Sequence, residues 1–338
     1  MLNPKLKLNT KIFNDDVENI SMREGFGRGL LEAGEQNKNI VSLCADLKDS
    51  LHMNLFAEKF KDRFIEVGVA EQNLVTVASG MAAMGKIPFC GSYAIFSPGR
   101  NYEQIRTTIS YNDRPVKIIG SHAGVSVGPD GGSHQALEDI ALMRVLPNME
   151  VFSPCDINEA KKITMAIAKT NRPAYVRLSR EKTPIITTEE TPFEIGKAET
   201  YWMPEIGIAQ VGIIATGELL YNAILAAKEL ESIGIKTKVI NLSSIKPIDT
   251  DAIIKLAKET KAIVTVEEHQ IAGGMGSAVA EVLAQNYPVP IEFIGVKDLF
   301  GQSGTSEELI KFYDMDKYSI KEAAKTCLRR QEVLKRKN

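Results

Sequence analysis

Residues 64–84 read Phe-Ile-Glu-Val-Gly-Val-Ala-Glu-Gln-Asn-Leu-Val-Thr-Val-Ala-Ser-Gly-Met-Ala-Ala-Met. The apolar, β-branched run Phe64–Val69 predicts a buried strand, and the helical spacing of apolar residues in Gln72–Met84 predicts a helix. Glu71 stands at the junction between them. In an open α/β sheet this junction lies at the carboxyl edge, where such sheets bind ligands. The stretch therefore predicts a parallel sheet flanked by helices, with an acidic side chain at its ligand-binding edge.

The same alternation of strand and helix extends along the chain in both directions. In the first half, the predicted strands are Ile40–Ala45, Phe64–Val69, Pro88–Tyr93, Val116–Ser121, Glu150–Ser153 and Ala174–Leu178, with another helix at Asn158–Lys169. In the second half, the predicted strands are Val211–Ala215, Thr237–Leu242, Ala262–Glu267 and Ile291–Ile294, and the predicted helices are Leu219–Ile233, Asp251–Glu259, Gly276–Gln285 and Ile320–Lys335. Both halves therefore have the pattern of an α/β domain built on a parallel sheet.

Two helix starts carry polar residues with capping-box spacing. Ser21 precedes Glu24 by three residues, and Asp156 precedes Glu159 by three. In a capping box the two side chains hydrogen-bond reciprocally to the backbone at the helix start. The first of these boxes predicts that Arg23 lies in the first turn of a helix.

Chain length and a change of composition predict two domains. The chain has 338 residues, and at roughly 150 residues per domain this corresponds to about two. Thr, Glu and Pro cluster through Thr183–Glu194, which favours a linker. We expect an N-terminal arm (1–17), a first α/β domain (18–185), a linker (186–205) and a smaller second α/β domain (206–338).

Composition argues against several classes of protein. Lys and Arg number 41 and Asp and Glu number 43, for a net charge of −2, so strong binding to nucleic acid phosphates has no electrostatic basis. The four cysteines are far apart and form no CxxC motif, so neither a zinc cluster nor a disulfide framework is predicted. No apolar run approaches the roughly 18 residues of a membrane span, and residues 1–16 lack the apolar core of a secretion signal. We expect a cytoplasmic protein that binds neither membrane nor nucleic acid.

A glycine-rich turn occurs at Gly273–Ser277, between a predicted strand and a predicted helix. Backbone amides at such a turn can bind a phosphate. The turn is neither a GxGxxG motif nor a P-loop, so tight packing of strand against helix is the favoured interpretation. The missing GxGxxG also disfavours an NAD-dependent oxidoreductase.

Two further groups of residues follow predicted strands. Tyr93 and Phe96 could stack on a flat heteroaromatic ring, although packing in the core would also explain them. The segment His122–Gln135 holds two of the four histidines, an aspartate and several glycines. Glycine-rich loops have a conformational entropy cost, so we interpret this loop as functional rather than structural. A metal site is the alternative, but the spacing fits no HExxH or zinc-ligand pattern.

Together these segments resemble a known family. Glu66–Asn73, Tyr93–Phe96, His122–Gln135, Tyr175–Arg180 and Lys297–Gly304 are similar, in order, to the C-terminal half of a transketolase. The similarity is specifically to the separate C-terminal subunit of the split, two-chain transketolases, and it runs from about Ser21 to about Asp314. It implies a thiamine-diphosphate pyrimidine-binding domain followed by the smaller transketolase C-terminal domain.

The resemblance implies cofactor contacts for four residues. Glu71 matches the glutamate that activates the cofactor through a hydrogen bond to a ring nitrogen of the aminopyrimidine. Tyr93 and Phe96 match the aromatic residues that flank the pyrimidine. Asp46 matches a further carboxylate that faces the cofactor.

The resemblance also implies substrate contacts. Arg23, Ser50, His122 and Arg180 match residues that hold the sugar phosphate, and two guanidinium groups with an imidazole suit a phosphate dianion. Asp130 matches the residue that binds a substrate hydroxyl. His134 matches the residue placed over the reacting carbon, so Glu71, His122 and His134 are the implied catalytic residues. Near Arg100 and Tyr102 the alignment slips, and neither receives a role.

One family motif is missing from this chain. Thiamine-diphosphate enzymes of this group bind the diphosphate through Mg²⁺ on a Gly-Asp-Gly motif, and the chain contains no Gly-Asp-Gly. The resemblance therefore implies an N-terminal transketolase subunit as partner, which supplies the diphosphate half and the Mg²⁺ site, in an α₂β₂ heterotetramer. No metal is expected on this chain itself.

The implied activity is transfer of a two-carbon ketol unit between sugar phosphates, in the pentose phosphate pathway or in a dedicated sugar-degradation route. Three alternatives stay open. A 1-deoxyxylulose-5-phosphate synthase would carry an Asp-Arg pair where Ser121-His122 stands. A 2-oxo acid dehydrogenase β subunit would lack the pattern of His122–His134. A catalytically inactive transketolase-like scaffold subunit is the third.

Overall fold

The central strands of the first domain are buried on both faces, as is typical of a parallel sheet covered by helices. The computed structural model describes residues 1–337, with side chains as far as residue 334. The strands of this domain are β1 Asn19–Ser21, β2 Ile40–Cys44, β3 Phe64–Glu66, β4 Ile87–Tyr93, β5 Lys117–Ser121, β6 Glu150–Phe152, β7 Ala174–Arg177 and β8 Lys182–Pro184. Its helices are α1 Met22–Gln36, α2 Asn54–Lys59, α3 Glu71–Ala83, α4 Tyr102–Gln104, α5 Asp139–Arg144 and α6 Ile157–Ile167, with a π-helical segment at Ile105–Ser110 and a 3₁₀ segment at Val125–Asp130.

The second domain repeats this construction on a smaller sheet. Its strands are β9 Glu199–Trp202, β10 Val211–Ala215, β11 Thr237–Asn241, β12 Ser244–Lys246, β13 Ile263–Gln270 and β14 Ile291–Val296. Its helices are α7 Leu220–Ser232, α8 Thr250–Thr260, α9 Met275–Asn286, α10 Ser306–Phe312 and α11 Lys317–Lys337. The sheet has the order β14-β13-β10-β11-β9 and is parallel except for β9.

The larger sheet has the order β12-β6-β7-β5-β4-β2-β3. Strands β2 to β7 pair in parallel, so their carboxyl ends meet at one edge. Strand β12 comes from the second domain and pairs with β6 in the antiparallel direction. The prediction of an α/β protein with mostly parallel sheets flanked by helices is confirmed, and each predicted strand is present. The short β1–β8 pair, β9 and β12 were not predicted, because strands of three or four residues leave little periodicity to detect.

The N-terminal arm and the predicted linker both contact the second domain. Leu6, Leu8 and Ile12 of the arm are buried in one hydrophobic cluster with strand β10 and Trp202. Strand β9 lies within residues 186–205, where a linker is predicted, and pairs with β11. Residue 338, the end of the predicted second domain, lies outside the described residues.

Both predicted helix starts are confirmed, but neither forms a capping box. The Ser21 hydroxyl accepts from the Arg23 amide at 3.3 Å, and Asp156 accepts from the Glu159 amide at 2.9 Å. Glu24 pairs with Arg28 one turn along the helix, which leaves the reciprocal bond unmade. The prediction that Arg23 lies in the first turn of a helix is confirmed.

The turn at Gly273–Ser277 packs strand β13 tightly against helix α9, which confirms the favoured interpretation. The amides of Met275 and Gly276 donate to the carboxylate of Glu267, at 2.6 and 2.8 Å. A Cβ atom on Gly274 would overlap that carboxylate. The anion at the N-terminus of α9 is therefore a side chain of the protein itself.

Within residues 1–337, no helix is both long enough and apolar enough to cross a membrane. The four cysteines are buried and form no disulfide.

Candidate active site

The predicted site residues gather at the carboxyl edge of the larger sheet. Asp46 follows β2, Glu71 begins the helix after β3, Tyr93 ends β4, His122 follows β5 and Arg180 lies beyond β7. These strands are neighbours in the sheet, so residues far apart in sequence come close together in space. Arg23 reaches the same edge from the start of α1.

The two aromatic residues contact the two histidines of the glycine-rich loop. The ring of Tyr93 stacks on the imidazole of His122 with centroids 3.8 Å apart. The ring of Phe96 lies 6.0 Å from that of Tyr93 and is nearly parallel to it, while His134 meets Phe96 edge-on at 5.5 Å. Both aromatic residues are half-buried and not fully enclosed in the core, so part of each ring stays accessible at the site.

Glu71 is buried, with 6% of its side chain exposed, and forms an ion pair that sequence reasoning missed. Its Oε1 lies 3.0 Å from Nη1 of Arg100, whose guanidinium also lies 4.2 Å from the ring centroid of Phe96. The backbone amide of Arg100 donates to the carbonyl of Phe96 at 2.9 Å, which places the two side chains one turn apart on the same side. The spacing of four residues between Phe96 and Arg100 could have revealed the contact between these two side chains, but not the ion pair with Glu71.

His122 is a buried imidazole between positive charges. The residue is 4% exposed, its backbone is left-handed with φ 54°, and its Nδ1 lies 2.5 Å from the Ser121 hydroxyl. Burial lowers the pKa of His122 to about 3, with further lowering from Arg23, Arg180 and His134. The imidazole is therefore neutral near pH 7 and available as a hydrogen-bond partner for an anion.

Arg23 and Arg180 stand beside this imidazole and are anchored to the backbone. Arg23 donates from Nη1 to the carbonyl of Ser50 at 2.6 Å and from Nη2 to the carbonyl of Arg180 at 2.7 Å. Arg180 donates from Nη1 to the carbonyl of Val127 at 2.7 Å. Burial is the main cause that lowers the pKa of Arg23, and the charge of Arg180 adds to it. Arg180 Nη1 also lies 3.4 Å from the carboxylate of the neighbouring Glu181, and the remaining N–H donors of this half-buried pair of guanidinium groups favour binding of an anion.

Asp46 and Asp130 lie apart from this cluster. Asp46 is exposed in a surface cleft of about 370 Å³ that Ser50, Phe64 and Glu66 also line. Asp130 is exposed within the glycine-rich loop, at the end of the 3₁₀ segment. Among the described residues, no hydrogen bond or ion pair joins either aspartate side chain to Glu71 or His122.

Glu66 is a second residue that sequence reasoning did not single out. Its Oε1 accepts from the amides of Asp46 and Gly68 at 2.8 and 2.9 Å, and so ties the end of β2 to the turn before α3. This link positions both Asp46 and the start of the helix that carries Glu71. The part of the chain with described side chains contains no cluster of three or more His, Cys, Asp or Glu residues that could hold a metal ion.

Comparisons with known proteins match both domains. Residues 18–185 match the transketolase pyrimidine-binding domain family, and residues 208–320 match the transketolase C-terminal domain family. A "putative transketolase C-terminal section" of Methanocaldococcus jannaschii is 44% identical over 302 residues, covering 88% of this chain and 93% of that protein. A 6-deoxy-6-sulfo-D-fructose transketolase subunit of Clostridium sp. is 37% identical over 326 residues, covering 96% and 98%.

A solved structure agrees with these matches. A split-gene transketolase, described as an inactive β4 tetramer, superposes with a TM-score of 0.85 at 41% identity, over 92% of this chain and 99% of that one. The relatives named here thus match this chain over nearly their whole length, which is the length of a transketolase C-terminal section. The chain belongs to the transketolase family and is similar throughout to the C-terminal sections of its split, two-chain members.

Proposed function

We propose that this chain is the C-terminal, pyrimidine-binding subunit of a two-chain, thiamine-diphosphate-dependent transketolase. In the complete enzyme it transfers a two-carbon ketol unit between sugar phosphates. An N-terminal subunit holds the diphosphate and Mg²⁺, and the assembly is α₂β₂ in the cytoplasm.

The observation that carries this proposal is a continuous series of side-chain contacts along the sheet edge. Glu71 contacts Arg100, Arg100 covers Phe96, and Phe96 faces Tyr93. Tyr93 in turn stacks on His122, whose pKa is lowered in part by the charges of Arg23 and Arg180. A buried carboxyl group at one end and two guanidinium groups at the other suit a long ligand with a heteroaromatic ring near one end and a phosphate near the other.

The residues at the first end fit an aminopyrimidine. Glu71 offers a buried carboxyl group to a ring nitrogen, and the half-buried faces of Tyr93 and Phe96 offer stacking surfaces for a flat ring. When bound, thiamine diphosphate supplies the carbon nucleophile that ketol transfer requires. Glu71 holds a proton at the ring nitrogen, and the aromatic pair orients the ring. Arg100 lies between Glu71 and Phe96, so its guanidinium must leave one or both when the ring binds.

The residues at the other end fit a sugar phosphate. Arg23 and Arg180 are anchored through backbone carbonyls and keep further N–H groups for a phosphate. His122 is neutral in the free chain and can donate or accept a hydrogen bond. His134 lies at the edge of Phe96, between the two ends, where we place the reacting carbon. Two further residues complete the proposed substrate site: Ser50 contacts the phosphate, and Asp130 contacts a substrate hydroxyl.

The proposal of a partner chain is supported by a family motif that is missing from this sequence. It has no Gly-Asp-Gly motif and, among the described side chains, no cluster able to hold a metal ion. A chain with the pyrimidine half alone leaves the diphosphate without a binding site. The 41% identical structure, described as an inactive β4 tetramer, behaves as we expect this chain to behave without its partner.

The test is reconstitution. The purified chain should show no ketol transfer with thiamine diphosphate, Mg²⁺ and a sugar-phosphate pair. Activity should appear when an N-terminal chain that carries Gly-Asp-Gly, to be sought in the adjacent reading frame, is added at equal concentration, and sedimentation should then show an α₂β₂ mass. Full activity of the lone chain would exclude the two-subunit proposal. Condensation of pyruvate with glyceraldehyde 3-phosphate would instead favour a 1-deoxyxylulose-5-phosphate synthase, and no turnover of either kind would favour a scaffold subunit.

A further inference from the structure

We infer that Glu268, on strand β13 of the second domain, is a positioning residue for the substrate loop of the first domain. The name substrate loop is used for residues 122–134 of the glycine-rich loop. The inference rests on the proposed function, because that proposal assigns substrate contacts to this loop. It gives the second domain a part in the reaction although none of the predicted site residues lies on it.

The Glu268 carboxylate receives two hydrogen bonds from one loop residue. The backbone amide of Ser126 donates to its Oε1, and the Ser126 hydroxyl donates to its Oε2 at 3.0 Å. Glu268 is 2% exposed, so both bonds lie away from water. Hydrogen bonds to a carboxylate are roughly twice as strong as neutral ones, and their loss inside a protein is correspondingly costly.

The loop is shaped to accept this carboxylate. Gly124 has a φ of +87°, and a Cβ atom placed on it would overlap the Glu268 carboxyl group. Only glycine allows the loop backbone both this conformation and this close approach. The glycine content that marked the loop as functional in the sequence is thus partly a requirement of contact with the second domain.

Ser126 is adjacent to the residue that orients Arg180, the proposed phosphate ligand. Ser126 precedes Val127, whose carbonyl accepts from Arg180 at 2.7 Å. The side-chain Nε2 of Gln135 donates to the carbonyls of Val125 and Gly128 at 3.0 and 3.3 Å. It also donates to the carbonyl of Gln302 in the second domain at 3.0 Å. A shift of Ser126 therefore moves the carbonyl that orients Arg180. Such a shift changes binding and turnover, since misplacing a binding group by about 1 Å can cost up to about a hundredfold in rate.

The neighbouring residue provides a matched control. Glu267 is 1% exposed on the same strand and also accepts two hydrogen bonds, but from the amides of Met275 and Gly276 at the start of α9. Glu267→Gln and Glu268→Gln make the same change of charge at equally buried, adjacent positions. Only Glu268 faces the substrate loop, so the two variants separate positioning of the site from general stability.

The experiment compares both variants in the assembled complex with the N-terminal chain. We expect Glu268→Gln to raise KM for a sugar-phosphate donor by about tenfold. KM for the non-phosphorylated donor hydroxypyruvate should change much less, and proton–deuterium exchange at C2 of bound thiamine diphosphate should stay at the parent rate. Amide hydrogen exchange of residues 124–131 should become faster. Glu267→Gln should lower Tm and expose the amides of residues 275–276, with KM unchanged.

A milder variant covers the case in which Glu268→Gln does not fold. Ser126→Ala removes only the hydroxyl bond, keeps the backbone bond, and should raise KM for the phosphorylated donor in the same direction by a smaller factor. The inference is overturned if loop exchange and KM stay at parent values in these variants, or if Glu267→Gln raises KM equally. A parent complex without ketol transfer would reject the proposed function instead, and the exchange of residues 124–131 would still show whether Glu268 holds the loop.

Discussion

Arg100 and Glu71 form an ion pair in which Nη1 lies 3.0 Å from Oε1, with the arginine 53% exposed and the glutamate 6% exposed. The same guanidinium covers the ring of Phe96 at 4.2 Å. Under the proposed function, Glu71 and Phe96 are the hydrogen-bonding and stacking partners of the aminopyrimidine. A planar cation therefore occupies, in the free chain, the two groups that the cofactor ring requires, and binding of the cofactor competes with this ion pair.

Removing that competition should strengthen binding of the cofactor. Arg100→Met keeps an unbranched side chain and removes the guanidinium. Because an ion pair with one exposed partner contributes roughly 0.2–1 kcal/mol, the Kd of thiamine diphosphate for the assembled complex should fall by a factor of roughly 1.4 to 5. Isothermal titration calorimetry measures this, with Arg106→Met as the control for loss of a nearby exposed arginine. A rise in Kd would mean that Arg100 supports the cofactor rather than competing with it.

Glu71→Gln should abolish catalysis while the fold persists. Gln has the same size and still offers a hydrogen bond, but it cannot supply the proton that the ring nitrogen needs. General acid–base help is worth about 10²–10⁴-fold, so kcat should fall by at least that order. Proton–deuterium exchange at C2 of the bound cofactor needs no sugar and should slow in parallel, with Tm near that of the parent. If Glu71 only complements the dipole of α3, the variant would instead lose roughly 0.3–1 kcal/mol of stability and keep its kcat.

Arg180→Lys should weaken use of phosphorylated donors. Lysine keeps the positive charge but loses the forked geometry that can bind a phosphate and the Val127 carbonyl together. Loss of a charge-assisted hydrogen bond costs roughly 1.5–3 kcal/mol, so kcat/KM for a sugar phosphate should fall about tenfold to a hundredfold. The decrease with hydroxypyruvate should be much smaller, since that donor has no phosphate. An equal decrease with both donors would remove Arg180 from the phosphate site.

Stability of the free chain should decline in acid because of His122. The pKa of His122 is about 3 in the folded chain against an ordinary 6.5, so between these values the unfolded chain binds a proton that the folded chain does not. The free energy of unfolding therefore falls as pH drops below about 6.5, by up to ~1.4 kcal/mol per pH unit from this group, until about pH 3. Urea unfolding at pH 7 and pH 4.5 measures the decline.

The matched variant isolates this contribution from the carboxylates that titrate over the same range. His122→Asn cannot titrate, so its loss of stability between pH 7 and pH 4.5 should be smaller than that of the parent. An identical pH dependence in both proteins would show that His122 takes up its proton without cost to the fold.

Sequence alone was sufficient for the parallel strands of both large sheets and for the edge that carries the site, but not for the β1–β8 pair, β9 or β12. A parallel strand is buried on both faces and is therefore predominantly apolar in sequence, as in Ile40–Cys44, whose burial the structure bears out. Glu71 follows one such run directly, and its position at the start of α3 depends only on local pattern. The family resemblance then supplied the other expected site residues, because they lie in short segments that occur in the family's order. It gave no role to Arg100, which pairs with Glu71.

Only the tertiary structure decided which side chains meet across long separations. Glu268 and Ser126 are 142 residues apart, and their hydrogen bonds exist because the second domain packs its strand β13 against the loop of the first. Strand β12 crosses into the first sheet for the same reason, with too few residues to show a period of its own. The Arg100–Glu71 pair depends on the path of the turn after β4, which no periodicity encodes. Local pattern determines which segments become strands and helices, whereas contacts between distant polar groups arise only when those segments pack and exclude water.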